Sequence, residues 1–272
     1  MSYFSKNSSP SNLTRSSHYR VKGLVLKHRD MGESDRLVTV FTKEYGKLVV
    51  SVRGARKTKT KLGGHMEPLV YGDYLIIRGK TLDSVIQGQI LIPFQTIKND
   101  LKKMAESIYV ADLVDHFLQD ADPQPGILDL TLSILNELEA VDSNGDLIIR
   151  IFEVKLLEET GFSPVLQTCA DCGMEMNPLR GQKYPFSAAS GGLLCSECSL
   201  SHSNWLRSIT GDTLLLMNYI RSTEVSKLVE LVIDGDWLSE LESVSRWYIS
   251  YIVDKPIEAL VFLDQVRHSL KQ

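Results

Sequence analysis

The sequence predicts an α+β multidomain protein: a small five-stranded β-barrel, then an all-α domain interrupted by a cysteine-rich knuckle. Hydrophobic residues alternate with a period of two from Tyr19 to Phe94. From Leu101 onward the period lengthens to three or four. The chain's four cysteines, Cys169, Cys172, Cys195 and Cys198, all fall in one thirty-residue stretch as two C-x-x-C pairs.

The first eighteen residues, MSYFSKNSSPSNLTRSSH, are polar and lack the apolar run of a secretory signal; they predict a disordered extension. Residues 19–98 follow as the barrel. The runs YRVKGLVLKHR, DRLVTVFTKEYG, KLVVSVRGA, YGDYLIIRGK and DSVIQGQILIPF are rich in β-branched and aromatic residues. Gly, Asp and Lys clusters separate them, which is the pattern of short strands joined by turns. Gly46 and Gly79 suit hairpin turns. So small a sheet avoids bare edges by curling closed.

Residues 99–272 read as the helical domain. Leu101, Met104, Ile108, Ala111 and Val114 lie on one helical face. DADPQPG ends that helix, a second covers 127–141, and a third covers 147–160, stopping at Gly161 with Pro164 beyond. After the knuckle, taken as 165–202, helical periods return at 212–220 and 225–233. A last long helix puts Trp237, Leu241, Val244, Tyr248 and Tyr251 on one face, up to Pro256.

Two C-x-x-C knuckles separated by twenty-two residues supply four thiolates, the set a tetrahedral zinc ion takes. Gly173, Gly191 and Gly192 permit the tight backbone such knuckles need. One structural Zn2+ is therefore expected on Cys169, Cys172, Cys195 and Cys198, with His202 as a substitute ligand. Four thiolates leave no open position for catalysis. Cysteines confined to such pairs fit a cytoplasmic metal site and not a disulfide framework.

The net charge of −4 hides a division. Residues 1–98 hold 17 Lys and Arg against 7 Asp and Glu, a net of +10, and residues 99–272 are −14. A basic barrel beside an acidic partner points to a polyanion bound on the barrel. RGARKTKTKLGG concentrates Arg53, Arg56, Lys57, Lys59 and Lys61 in nine residues without an acid, the expected phosphate contacts. Lys22, Arg36 and Lys47 are a second possible surface. Phe41, Tyr45, Tyr71 and Tyr74 are possible base stackers, each more often a core residue.

Enzyme motifs fail. GKT at 79–81 lacks the glycine a P-loop needs six residues before its lysine. HME at 65–67 imitates a nucleobase deaminase, but it lies about a hundred residues from the cysteines. The carboxylate pairs Asp112/Asp115 and Glu158/Glu159 read as solvated helix faces. No apolar run approaches the ~20 residues of a membrane span, so no membrane partner is expected.

The segment VKGLVLKHRDMGESDRLVTVFTKEYGKLVVSVRGARK resembles the N-terminal signature of the bacterial RecO family of DNA-repair proteins, and KLGGHMEPLVYGD its next segment. EETGFSPVLQTCADCG and FSAASGGLLCSEC are similar to its zinc knuckle and the helix before it. The resemblance runs over about residues 19–255. It implies an OB-fold barrel and a non-enzymatic recombination mediator, cytoplasmic and nucleoid-associated. Such a mediator binds single- and double-stranded DNA, anneals complementary strands, and works with RecR to load RecA onto DNA. It also implies binding to the acidic tail of single-strand-binding protein. Such a tail wants a cation beside an apolar groove; Arg221, Lys227 and Arg246 near Trp247 and Tyr251 are the expected place. The competing reading is an RNA-binding OB-fold zinc protein of translation or transcription.

Overall fold

The computed structural model describes residues 17–57, 61–140, 144–202 and 204–270. Most of the proposed extension, and Lys59 of the basic loop, lie outside them.

Five strands form the barrel: β1 (His18–Met31), β2 (Asp35–Thr42), β3 (Gly46–Val52), β4 (Tyr71–Ile77) and β5 (Ser84–Ile92). Their order is β1-β2-β3-β5-β4, with β4 pairing back onto β1. Closure between β3 and β5 is parallel, at Ser51 and Ser84, whose hydroxyls lie 2.6 Å apart. This is the five-stranded OB-fold barrel. A short helix α1 (Lys61–His65) separates β3 from β4 and leads into Met66, buried in the barrel interior.

Strand β1 carries two cores at once. Val21 and Val25 point into the barrel with Val38, Val40, Val50 and Val52. Leu24 and Leu26 face outward, into the core of the helical half. That accounts for the unbroken apolar run GLVL: both faces of the strand are covered. An irregularity between Val25 and Lys27 re-aims the strand beyond this point.

The helical half comprises α2 (Gln95–Asn99), α3 (Leu101–Phe117), α4 (Pro125–Glu139) and α5 (Gly145–Glu159), then α6 (Ser196–Ser199) within the knuckle. It continues with α7 (Gly211–Ser222), α8 (Val225–Leu228), α9 (Gly235–Val253) and α10 (Glu258–Ser269). Asp100 caps α3 by accepting from the Lys103 amide, and Asn144 caps α5 by accepting from the Leu147 amide. A three-stranded sheet, order β7-β6-β8, joins β6 (Lys183–Ser187) and β7 (Gly192–Leu193) of the knuckle to β8 (Leu206–Thr210), which lies beyond the expected end at 202.

The helix expected over 225–233 is only four residues long. Beyond it lie the β-branched Val229, Val232 and Ile233, poor helix formers, and Val232 is fully exposed. Helix α10 was not anticipated, because Pro256 reads as an end. It buries Ala259, Leu263 and Val266, spaced at four and three.

The pair Asp112/Asp115 is not a solvated face. Asp112 Oδ2 accepts from the Ala259 amide at 3.2 Å, at the start of α10, where Ile257 offers no side-chain cap. Asp115 binds Lys27 at 2.5 Å and Lys47 at 3.2 Å, joining α3 to the barrel. Exposure could not be inferred from helical spacing because the covering elements are distant in sequence. Glu158 and Glu159 are exposed as expected.

Candidate nucleic-acid interface and metal centre

Basic side chains gather at one end of the barrel, where three connections meet: the β1–β2 turn, the β3 exit and the β4–β5 loop. The first two are tied together by Asp35. Its Oδ1 accepts from the Gly54 amide at 2.8 Å and from the Ser34 hydroxyl at 3.0 Å. Those two donations hold the Asp35 carboxyl below its usual range. The loop that displays the cations is thus fixed to the barrel.

Arg53, Lys57, Lys61 and Lys22 are exposed and have no ion-pair partner among the described residues. Arg56 is exposed but tethered, with Nε 3.3 Å from Asp30 and Nη1 donating to the Gly32 carbonyl. The β4–β5 loop adds Arg78 and Lys80, both exposed. Arg53, Arg78 and Lys80 line one groove of about 930 Å³, with Met31, Leu62 and Ile86 among its apolar walls. Reading GKT as a failed P-loop and Gly79 as a hairpin turn passes over the charge of Arg78 and Lys80. The charge of that turn, close to the Arg53 loop through β3–β5 closure, was the usable signal.

Two expected cations are committed inside the molecule. Arg36 lies between Glu67, at 2.6 Å, and Asp30, at 3.4 Å. Lys47 is turned to Asp115 and Asp120. Of the aromatic residues, Phe41 and Tyr74 are fully buried core, Tyr71 is half-buried, and Tyr45 is exposed.

The knuckle brings the four cysteine sulfurs together, all within 4.8 Å of one another. Tetrahedral zinc with Zn–S of about 2.3 Å requires sulfurs about 3.8 Å apart; Cys172 and Cys195 lie at 3.9 Å. The first pair sits on a hairpin in which the Cys169 amide donates to Met174 O and the Gly173 amide to Cys169 O. Gly173 adopts φ +75°, which a side chain would resist. Cys195 caps α6, its sulfur accepting from the Cys198 amide at 3.4 Å, and the Cys195 amide donates to the Cys169 sulfur at 3.3 Å. Although burial pushes the Cys169 thiol up, amides of Cys172 and Cys195 outweigh it and lower its pKa to about 6. Cys198 is pushed the other way by sharing hydrogen bonds with Cys195 and Cys172. A cluster that holds one thiolate easily and resists four is one that a cation completes. His202 Nε2 donates to Asp171 Oδ2 at 2.7 Å and is not among the clustered ligands.

The expected partner residues do not share a face. Arg246 is turned to Glu242 at 2.6 Å and Asp264 at 2.9 Å. Adjacent helix positions point about 100° apart, so Arg246 and Trp247 cannot act together. Arg221 donates to Pro164 O and Lys227 pairs with Glu224. Trp247 and Tyr251, four apart on α9, do join, through Trp205: its ring centroid is 6.0 Å from Trp247 and 5.1 Å from Tyr251. The cation on this cluster is Arg207, 4.9 Å over the Trp247 ring. Trp205 is 44% exposed and Tyr251 37%.

A closed OB-fold barrel with a cationic groove is joined to a helical half that carries a four-cysteine cluster. Family models make the assignment. The N-terminal model of recombination protein O matches residues 17–94, and its C-terminal model matches residues 98–260. The chain is 31% identical over 255 residues to the DNA repair protein RecO of Dehalococcoides mccartyi strain CBDB1, covering 94% of this chain and 98% of that one. It is 30% identical over 251 residues to the RecO of Desulforamulus reducens, covering 92% and 96%. With the RecO of Roseiflexus sp. it shares 31% identity over 253 residues, 93% and 87% of the two chains. The chain belongs to the RecO family of DNA repair and recombination proteins. Among the described residues no helix is long and apolar enough to cross a membrane.

Proposed function

We propose that this chain is a recombination mediator without catalytic activity. It binds single- and double-stranded DNA on the barrel, anneals complementary strands, and with RecR loads RecA onto DNA coated by single-strand-binding protein. The observation that carries the reading is the cationic end of the barrel, where Arg53, Arg78 and Lys80 line one groove and Lys57 and Lys61 stand exposed nearby. Phosphates are the natural counter-charge for such a groove. Arg56, Lys59 of the same basic loop and Lys22 on β1 add to the expected phosphate contacts, and Arg36 and Lys47 serve the fold. A cytoplasmic, nucleoid-associated location follows from that role.

The four cysteines hold one Zn2+ with a structural task, since four thiolates close its coordination. The aromatic cluster of Trp205, Trp247 and Tyr251 with Arg207 receives the acidic tail of single-strand-binding protein. Its support is an exposed apolar surface with a guanidinium over it, on a half of the molecule whose net charge is otherwise negative. The deciding experiment is annealing of complementary oligonucleotides coated with single-strand-binding protein. The full chain should speed annealing; no acceleration, with RNA bound in preference to DNA, would favour the RNA-binding reading.

A further inference from the structure

We propose that Tyr45, backed by Tyr19 and Arg78, is a base-stacking platform that gives the barrel its grip on unpaired nucleic-acid bases. This rests on the DNA-binding reading above and adds to it a ligand feature, the exposed base.

Tyr45 stands in the β2–β3 turn and is 38% exposed, whereas Phe41 and Tyr74 are wholly core. Its backbone is fixed: the Tyr45 amide donates to Thr42 Oγ1 at 3.2 Å, and that hydroxyl donates to Gly46 O at 2.9 Å. Behind it lies Tyr19, ring centroids 5.1 Å apart and tilted by 54°. Tyr19 is itself held, its hydroxyl donating to Asp83 at 2.5 Å. The guanidinium of Arg78 sits 4.6 Å from the Tyr19 centroid. The result is a supported column, cation over ring beside a second ring, with the outermost ring open to solvent.

Arg78 also lines the cationic groove with Arg53 and Lys80. A strand whose phosphates follow that groove therefore passes Arg78 and reaches the tyrosine pair. Asp83 is engaged by the Tyr19 hydroxyl and the Gly79 amide, and the other acid beside the column, Glu44, is exposed next to Tyr45. An exposed aromatic face next to a phosphate track is how single strands are held without sequence preference. In a duplex both faces of each base are occupied by neighbours, so the platform acts on unpaired bases alone.

The test uses the full chain, fluorescence anisotropy at fixed salt, and three probes of equal length: a thymidine oligonucleotide, its abasic counterpart, and a duplex. Wild type should bind the thymidine strand at least about five-fold tighter than the abasic one, the lower end of a stacking contribution. Tyr45→Ala should lose about that factor on the thymidine strand and nothing on the abasic strand or the duplex. Tyr45→Phe should retain it. An equal loss on all probes, or none on the thymidine strand while Arg53→Ala/Lys57→Ala still weakens binding, overturns the platform and leaves the DNA-binding reading standing. A wild-type chain that binds none of the three overturns both.

Discussion

The ammonium of Lys47, at the start of β3, lies 3.2 Å from Asp115 Oδ1 and 2.9 Å from the Asp115 backbone carbonyl on α3. Lys27 reaches the other carboxylate oxygen at 2.5 Å, so one acid of the helical half holds two cations of the barrel. The β2–β3 turn is locked in beside it. Gly46 has φ +65°, and a Cβ there would lie 2.2 Å from Asp122 O.

Removing Lys47, which is mostly buried with Asp115 while Lys27 stays exposed, should cost stability and spare DNA binding. Lys47→Met is expected to lower unfolding free energy by about 1–3 kcal/mol in urea titration, because Asp115 keeps only Lys27. Burial pushes Asp115 up, but Lys27 and Lys47 hold its carboxyl below the ordinary value. Its contribution is therefore present above the unfolded pKa and lost as pH falls through the folded one. If Lys47 contacted phosphate, the variant would flatten the salt dependence of DNA affinity; an unchanged slope is expected.

Glu106 on α3 behaves in the opposite sense. Burial raises its pKa to about 7, only partly countered by Lys102, with Asp146 adding to the rise. The folded state then binds more protons than the unfolded state between the ordinary value and about 7, so Glu106 costs stability as pH rises through that window. Glu106→Gln should gain stability relative to wild type at pH 8, by roughly 3 kcal/mol, and show no gain at pH 4. Thermal denaturation of both proteins across pH checks this. A Cβ at Gly145 would lie 2.1 Å from Glu106 Oε2, so a side chain there requires the carboxyl to move.

The knuckle should bind one zinc per chain by elemental analysis. Cys172→Ser or Cys198→Ser should release the metal and raise proteolysis within residues 165–202 while the barrel strands stay protected from hydrogen exchange. Structural zinc contributes folding free energy directly; Leu166, Phe186, Ala188 and Leu193 of this segment join the helical core, whereas Cys169, Leu194 and Cys195 form a small cluster of their own, so the loss should centre on the cysteine end. Global unfolding of either variant would contradict that division.

For the acidic tail, the aromatic cluster predicts a particular rank. Arg207→Ala or Trp205→Ala should weaken binding of a tail peptide about ten-fold or more in calorimetry, in line with buried aromatic and arginine anchors. Arg246→Ala should leave peptide affinity unchanged, since its guanidinium faces Glu242 and Asp264.

Local patterns in the sequence carried the barrel and the cysteine site. Alternation defined the five strands, Gly161 after α5 takes φ +78° as a helix-ending glycine does, and C-x-x-C spacing defined the cluster. What stayed hidden depends on distant partners. Nothing near Lys47 in sequence says that Asp115 waits for it, and nothing near Trp247 announces Trp205 and Arg207. Pro256 concealed α10, whose first amide is received by Asp112 from another helix. Charge counting pointed to the N-terminal half for a polyanion but could not separate Arg53, which has no ion-pair partner among the described residues, from Arg36, which two carboxylates hold.

The salt dependence of single-strand binding tests the central claim most directly. Affinity of the full chain for a thymidine oligonucleotide should fall with log salt by about 0.7 per neutralised phosphate. In the triple variant Arg53→Ala/Lys57→Ala/Lys80→Ala the slope should flatten by roughly two units. A triple variant that keeps the wild-type slope would contradict the account and move the DNA away from this end of the barrel.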